Sequence, residues 1–334
     1  MRARELGIAI GDGSPGPRNA ITDVAGVLVG HATVIEGEAV RTGVTVVIPP
    51  ETPQFAGCHR LNGNGELTGL EWVRESGLLT TPIGITNTFS VGVVRDAIAA
   101  RSADEDAWSL PVVGETYDGF LNDIRGQHVA ATHVEAAFGA ASADVEEGNV
   151  GGGTGMICHE FKGGIGTASR LVNGHVVGVL VQANYGRRSR FRVNGVPVGE
   201  LIGDRLPTPQ PADEWGSIIG LVATDAPLLP HQCDRLAQRV GLGVARMGGT
   251  GAHTSGDLFL AFATGNRGLA SPAGEIDLRM LSDGEISPYY AAVIDASEEA
   301  ILNAMLAAET MTGRDGHTVY ALESELVAEV LRRS

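Results

Sequence analysis

The 334 residues, 43% hydrophobic and 19% charged, hold enough apolar content for one large or two ordinary globular domains and exclude a disordered chain. The 47 glycines follow no G-X-Y period and sit among apolar runs, which excludes collagen and low-complexity architectures. Lys+Arg 24 against Asp+Glu 40 leave a formal charge of −16 that repels phosphate backbones, so nucleic acid and anionic membranes are poor partners and an enzyme of small molecules or peptides is favoured.

The first residues are basic, but Gly11, Asp12 and Pro15 interrupt the apolar run that a secretory signal needs. No stretch approaches the roughly 18 apolar residues of a membrane span. Cys58, Cys158 and Cys233 are odd in number and far apart, which suits reduced thiols and a cytoplasmic location.

Along the chain, short apolar runs bounded by Gly, Pro, Asn or Asp predict strands over 44–48, 83–88, 175–182, 217–223, 258–263 and 291–294. Three- and four-residue apolar spacing predicts helices over 66–76, 91–100, 128–141, 232–240 and 298–310, the last through Ile301 and Met305 and through Leu302 and Leu306. The two signals do not alternate strictly, and 175–182 and 191–194 read as neighbouring strands across a polar turn. Layered sheets covered by helices therefore fit better than an all-parallel doubly wound sheet. Residues 206–214, rich in proline, read as an extended linker.

Gly148-Asn-Val-Gly-Gly-Gly-Thr-Gly155 invites a nucleotide reading, because bare N–H groups can cradle phosphate. It lacks the Gly-Lys-Ser/Thr closure of a Walker loop, and the polar residues 144–147 are not the strand that a dinucleotide fingerprint follows. A tight loop where backbone passes close to backbone, or a loop lining a substrate site, explains it as well. Cys58-His59, Cys158-His159 and His231-x-Cys233 lack zinc spacing, and neighbours on a strand point to opposite faces, so no metal is expected. A cysteine nucleophile with a distant histidine has no local support.

Chemistry concentrates in residues 245–265, where a loop of small residues runs into the strand at 258 with Thr254, Ser255, Gly256 and Asp257 at its entrance. An ordinary loop accounts for the composition. The functional reading is a serine exposed by self-cleavage of the Thr254–Ser255 bond, whose freed α-amine, with a reference pKa near ~7.7–8.0, is a base suited to neutral pH. A second cluster, Asp295-Ala-Ser-Glu-Glu-Ala300, reads as the junction of a strand and a helix. Asp295 and Glu298 fit a capping box, which leaves Ser297 and Glu299 without a structural task.

Nine segments in order resemble one family: 19–31, Arg41-Thr-Gly-Val-Thr45, Leu61-Asn-Gly-Asn-Gly-Glu66, Thr86-Asn-Thr88, Glu115-Thr-Tyr-Asp-Gly119, 148–156, Lys162-Gly-Gly-Ile-Gly-Thr167, Ala223-Thr-Asp-Ala-Pro-Leu228 and Ser255-Gly-Asp257. The chain resembles the self-processing aminopeptidases typified by L-aminopeptidase/D-Ala-esterase and the β-peptidyl aminopeptidases, serine peptidases of the N-terminal-nucleophile type. The resemblance implies an αββα sandwich and a single catalytic domain, 1–334, cut into pieces 1–254 and 255–334. It further implies a homotetramer of cleaved protomers and hydrolysis of short peptides, amides or esters without metal or organic cofactor. It makes Ser255 the nucleophile, with its α-amine, Ser297 and Glu299 in proton transfer. Asp225 and His159 stand where characterised members carry an asparagine and a tyrosine. Since an ionised aspartate cannot donate to an oxyanion, backbone N–H groups, Asn184 or a protonated Asp225 would serve. The alternatives are an acyltransferase of ornithine-acetyltransferase-like architecture with a threonine nucleophile, and an unprocessed ligand-binding protein.

Overall fold

A computed structural model of the chain describes residues 1–101, 108–203, 207, 216–271 and 274–333. Its strands are β1 (Leu28–Glu36), β2 (Val40–Ile48), β3 (Gln54–Gly63), β4 (Leu78–Leu79), β5 (Ile83–Asn87), β6 (Val112–Thr116) and β7 (Ile157–Cys158). They continue with β8 (Phe161–Lys162), β9 (Gly164–Val172), β10 (His175–Asn184), β11 (Gly216–Thr224), β12 (Ser255–Ala263), β13 (Met311–Thr312) and β14 (Thr318–Val319). The helices are α1 (Leu70–Ser76), α2 (Val91–Ala100), α3 (Ala131–Gly139), α4 (Val198–Ile202), α5 (Pro230–Arg246), α6 (Ser287–Leu306) and α7 (Ser324–Arg333). No helix among the described residues is long and apolar enough to cross a membrane.

Two sheets dominate, a four-stranded one in the order β1-β2-β5-β6 and a six-stranded one in the order β4-β3-β12-β11-β10-β9. Alternation along the strands explains how they stack. On β2, Val44 and Val46 face a cluster with Val94, Ile98 and Val134 of α2 and α3, whereas Val47 faces the other sheet. On β12, Leu258, Leu260 and Phe262 point between the sheets, and Phe259, Ala261 and Ala263 point to α5 and α6. Three apolar interfaces thus separate four layers, which is the αββα sandwich that the resemblance implied. The strands at its centre are buried on both faces, and that is why they read as unbroken apolar runs.

Three expectations are corrected. Residues 291–294 form no strand; they belong to α6, which begins at Ser287 behind Pro288 at its first turn and runs unbroken to Leu306. Asp295 and Glu298 therefore lie inside a helix and cap nothing. Residues 191–194 are not the hairpin partner of β10; that partner is β9, paired from His175↔Val172 to Ala183↔Gly164. Of the expected linker 206–214, all but Pro207 lies outside the described residues.

The glycine run folds into a buried 3₁₀ turn, Gly151–Gly153. Its amides are spent inside the protein, Gly151 N–H on Thr33 Oγ1 at 2.9 Å and Gly152 N–H on Thr45 Oγ1 at 3.1 Å, so they cradle no phosphate. Lys162, the chain's single lysine, donates to the carbonyls of Gly153, Met156 and Gly163 and pins the loop.

Candidate active site

The register of β12 fixes Ser255. It is the first residue of the strand, lying opposite Gly216 at the start of the parallel β11, while the N–H of Asn64 donates to the Ser255 carbonyl from the end of β3. Gly256 passes so close to that end that a Cβ would sit 2.6 Å from Asn64 O and 2.7 Å from Gly65 Cα. Only glycine fits between the serine and the aspartate. Alternation then turns Ser255 and Asp257 to the same face as Phe259, toward α5 and α6.

The two side chains meet there. Ser255 Oγ donates to Asp257 Oδ1 at 2.6 Å, with Ser255 only 4% exposed. Burial raises the Asp257 carboxyl from its ordinary 3.8 to about 6, against the stabilising hydrogen bonds from Ser255 and the Ile218 backbone. A carboxylate so poised can take the serine proton near neutral pH. Sequence reading named Asp257 in the motif but gave it no role; the signal was its i+2 spacing on a strand.

A small cavity of about 10 Å³ adjoins Ser255 and is lined also by Tyr185, Gly216, Thr250 and Ala252. The Tyr185 hydroxyl is buried without a hydrogen-bond partner. Its pKa lies well above the usual 10, through burial first and then the charges of Cys158, Asp257 and Glu298, so it keeps its proton and can donate. Another buried hydroxyl on this side of the sheet without a hydrogen-bond partner is Ser297 Oγ, in α6 where Gly243 of α5 leaves room: a Cβ on Gly243 would lie 2.5 Å from Ser297 Cβ.

The remaining residues fall elsewhere. The fully buried Glu299 lies over the β9 edge, about three strand spacings of ~4.8 Å from β12. There it accepts from Arg170 at 2.7 Å, Arg4 at 2.9 Å and Asn19 at 2.5 Å. Asn184 reaches the correct end of the sheet but points between the sheets, with Oδ1 accepting from Ile157 N–H and Nδ2 donating to Tyr117 O. His159 packs edge-on against Tyr185, with ring centroids 5.0 Å apart and planes 66° from parallel. Burial lowers its pKa to about 4, and because Arg187 O can only accept, the proton of the neutral ring sits on Nδ1. Nε2 then has no N–H to offer an oxyanion. Asp225 is a correction: it follows the far end of β11, some nine residues or about 30 Å of strand from Ser255, and its carboxylate accepts from Val176 N–H. Parallel pairing of β11 with β12 sends those two ends apart. Burial also pushes the Cys158 thiol up to about 12 and raises Cys58 and Cys233, so these groups stay protonated.

Sequence reading also passed over Glu115 on β6. A Cβ on Gly65 would lie 3.1 Å from its Oε1 and 3.0 Å from Gly256 Cα, so this carboxylate reaches the residue next to Ser255 from the other sheet. It accepts from Glu66 N–H and from the Thr88 hydroxyl, and burial raises its pKa. Outside, a cleft of about 410 Å³ is lined by Asn62, Gly63, Asn64, His253 and Thr254.

Residues 19–319 match the model of peptidase family S58. The chain is 47% identical over 367 residues to a β-peptidyl aminopeptidase of Sphingosinicella microcystinivorans, covering 99% of this chain and 92% of that protein. Among solved structures it is similar to a β-aminopeptidase of Burkholderia sp., at a TM-score of 0.95 and 53% identity over 100% of this chain and 99% of that one. It is also similar to the L-aminopeptidase D-Ala-esterase/amidase of Ochrobactrum anthropi, described as a prototype of the serine aminopeptidases and a variant of the Ntn hydrolase fold, with a TM-score of 0.91 and 43% identity over 99% and 98% of the two chains.

Proposed function

The chain belongs to peptidase family S58 and is a serine-type aminopeptidase with the N-terminal-nucleophile hydrolase fold; from that premise we propose that it cuts its own Thr254–Ser255 bond and then attacks substrates with Ser255. The observation that carries this reading is the buried Ser255–Asp257 hydrogen bond of 2.6 Å at the mouth of β12, directly after a loop open to the cleft. Before cleavage Asp257 takes the serine proton. Afterwards the new α-amine, with a pKa near ~7.7–8.0, can relay protons between Ser255 and the leaving amine. Tyr185 supplies an O–H for the developing oxyanion, and Ser297 closes the same layer. Glu115 receives the substrate ammonium, a pairing that offsets the cost of its burial.

The β-peptidyl and β-aminopeptidase names of two relatives support peptides and amides with an N-terminal β-amino acid as substrates. A homotetramer of cleaved protomers in the cytoplasm belongs to the same proposal; the three free cysteines suit a reducing compartment.

Denaturing mass spectrometry tests the proposal. Pieces of residues 1–254 and 255–334 are expected, with Ser255→Ala intact and inactive. Processed enzyme should release p-nitroaniline from β-homoalanyl-p-nitroanilide, and Glu115→Gln should raise KM for this free-amine substrate. A full-length chain that hydrolyses it anyway would sink the mechanism. Cleavage before Thr254, with acyl transfer to an amine rather than water, would install the acyltransferase instead.

A further inference from the structure

The end of β3 grips the loop on both sides of the bond to be cut. Asn62 Nδ2 donates to Ala252 O, Asn64 Nδ2 donates to Thr254 O at 2.7 Å, and Asn64 N–H donates to Ser255 O at 3.2 Å. Ser255 N–H closes a turn onto Ala252 O at 2.8 Å, so the Thr254–Ser255 peptide is the last link of a tight four-residue turn. Of these contacts only the Asn64 side chain touches the carbonyl that Ser255 must attack. The loop alone would need no such amide, since Asn62 and the two backbone bonds already fix it.

We propose that Asn64 is the oxyanion donor of self-cleavage, polarising the Thr254 carbonyl for attack by Ser255. The proposal rests on the self-processing reading and adds a residue to it. Asp257 takes the Oγ proton as Oγ bonds to the Thr254 carbonyl carbon. Negative charge gathers on Thr254 O, which already accepts the Asn64 N–H. The bond from that carbon to Ser255 N then breaks, the nitrogen taking the proton from Asp257 and leaving an ester between Thr254 and Oγ. Water from the open cleft adds to the ester carbon and breaks its bond to Oγ, giving the Thr254 carboxylate, the Ser255 hydroxyl and the free α-amine. A donor in place before reaction reorganises little as charge develops, and its removal costs about 10²–10³ in rate.

The test follows self-cleavage of freshly purified full-length chains by intact mass against time. Asn64→Ala should cleave at least about 100-fold more slowly than the parent, with a melting temperature matching that of uncleaved Ser255→Ala. Asn64→Asp separates donation from shape. An ionised carboxylate has no proton to give, whereas its acid, with an ordinary pKa near ~3.9, has one. The rate of Asn64→Asp relative to the parent should therefore rise roughly tenfold or more between pH 7 and pH 4.5. Cleavage of Asn64→Ala within tenfold of the parent, or a ratio for Asn64→Asp that stays flat with pH, overturns the role of Asn64 and leaves self-processing standing. A parent chain that never cuts after Thr254 removes both.

Discussion

Asp257 carries two opposite dependences on pH. Burial raises its folded pKa to about 6, so between about pH 4 and 6 the folded protein holds a proton that the unfolded chain has released. Stability from this group is therefore lost as pH rises through that window. Self-cleavage as proposed uses the carboxylate, so its rate should rise through the same window. Asp257→Asn removes the desolvated charge and keeps a group able to hydrogen-bond Ser255. Compared with Ser255→Ala in denaturant at pH 7, it should be more stable by up to about 3 kcal/mol, from two pKa units at 1.36 kcal/mol each, and remain uncut. Parent-rate cleavage of Asp257→Asn would remove Asp257 from the chemistry. The Ser-Gly-Asp spacing was legible in the sequence. Its meaning depended on β12 beginning at Ser255, because only extended backbone puts residues i and i+2 on one face.

At the scale of elements, α6 is where sequence reading went furthest astray. Its buried second half, Ala296 to Leu306, keeps the spacing that predicts a helix from 298, whereas in its first half the short apolar run 291–294 ahead of Asp295 resembles a strand. The cluster that looked like a cap is an interior array. Asp295 accepts from Arg246 at 2.5 Å, and Glu298 accepts from Asn194 N–H at 3.0 Å. Ser297 and Glu299 part company accordingly. Ser297→Ala deletes a buried hydroxyl that satisfies no partner, so stability should hold or rise by about 1 kcal/mol. If the hydroxyl serves proton transfer, kcat of the processed fraction should fall by about 10² or more. Glu299→Gln strips the nearly inaccessible Arg170 of its counter-ion and should cost about 3–5 kcal/mol by thermal or chemical denaturation. We assign Glu299 to holding α6 against β9 and the N-terminal segment. Unchanged stability with kcat down by 10²–10⁴ would return it to proton transfer.

For the whole molecule, β12 lies inside the six-stranded sheet, hydrogen-bonded to β11 on one side and β3 on the other, and α6 covers β9 and β10. Cutting before Ser255 thus severs the chain and leaves its sheet and core intact. The pieces should comigrate at a one-to-one ratio under native conditions, unfold in a single transition, and separate only in denaturant; separation in plain buffer would contradict this packing. No group of three or more metal-binding side chains converges among the described residues. Exhaustive chelation should leave peptidase activity unchanged, and loss restored by Zn²⁺ would reopen a metal role.

By itself the sequence determined the elements whose surroundings are uniform. Central strands buried on both faces stand out as apolar runs, α2 keeps its spacing, and the small residues around Ser255 mark close backbone approach. Family resemblance added the sandwich and the serine. Tertiary structure alone decided which ends of those elements meet. Parallel pairing of β11 with β12 moves Asp225 to the far end of the sheet and brings Gly216 to Ser255, while β3, antiparallel to β12, delivers Asn64 to the Thr254 carbonyl. Distances along a chain say little about which end of a strand faces a neighbour, because hydrogen bonding between strands and burial of their faces set that choice, and both are made with residues distant in sequence.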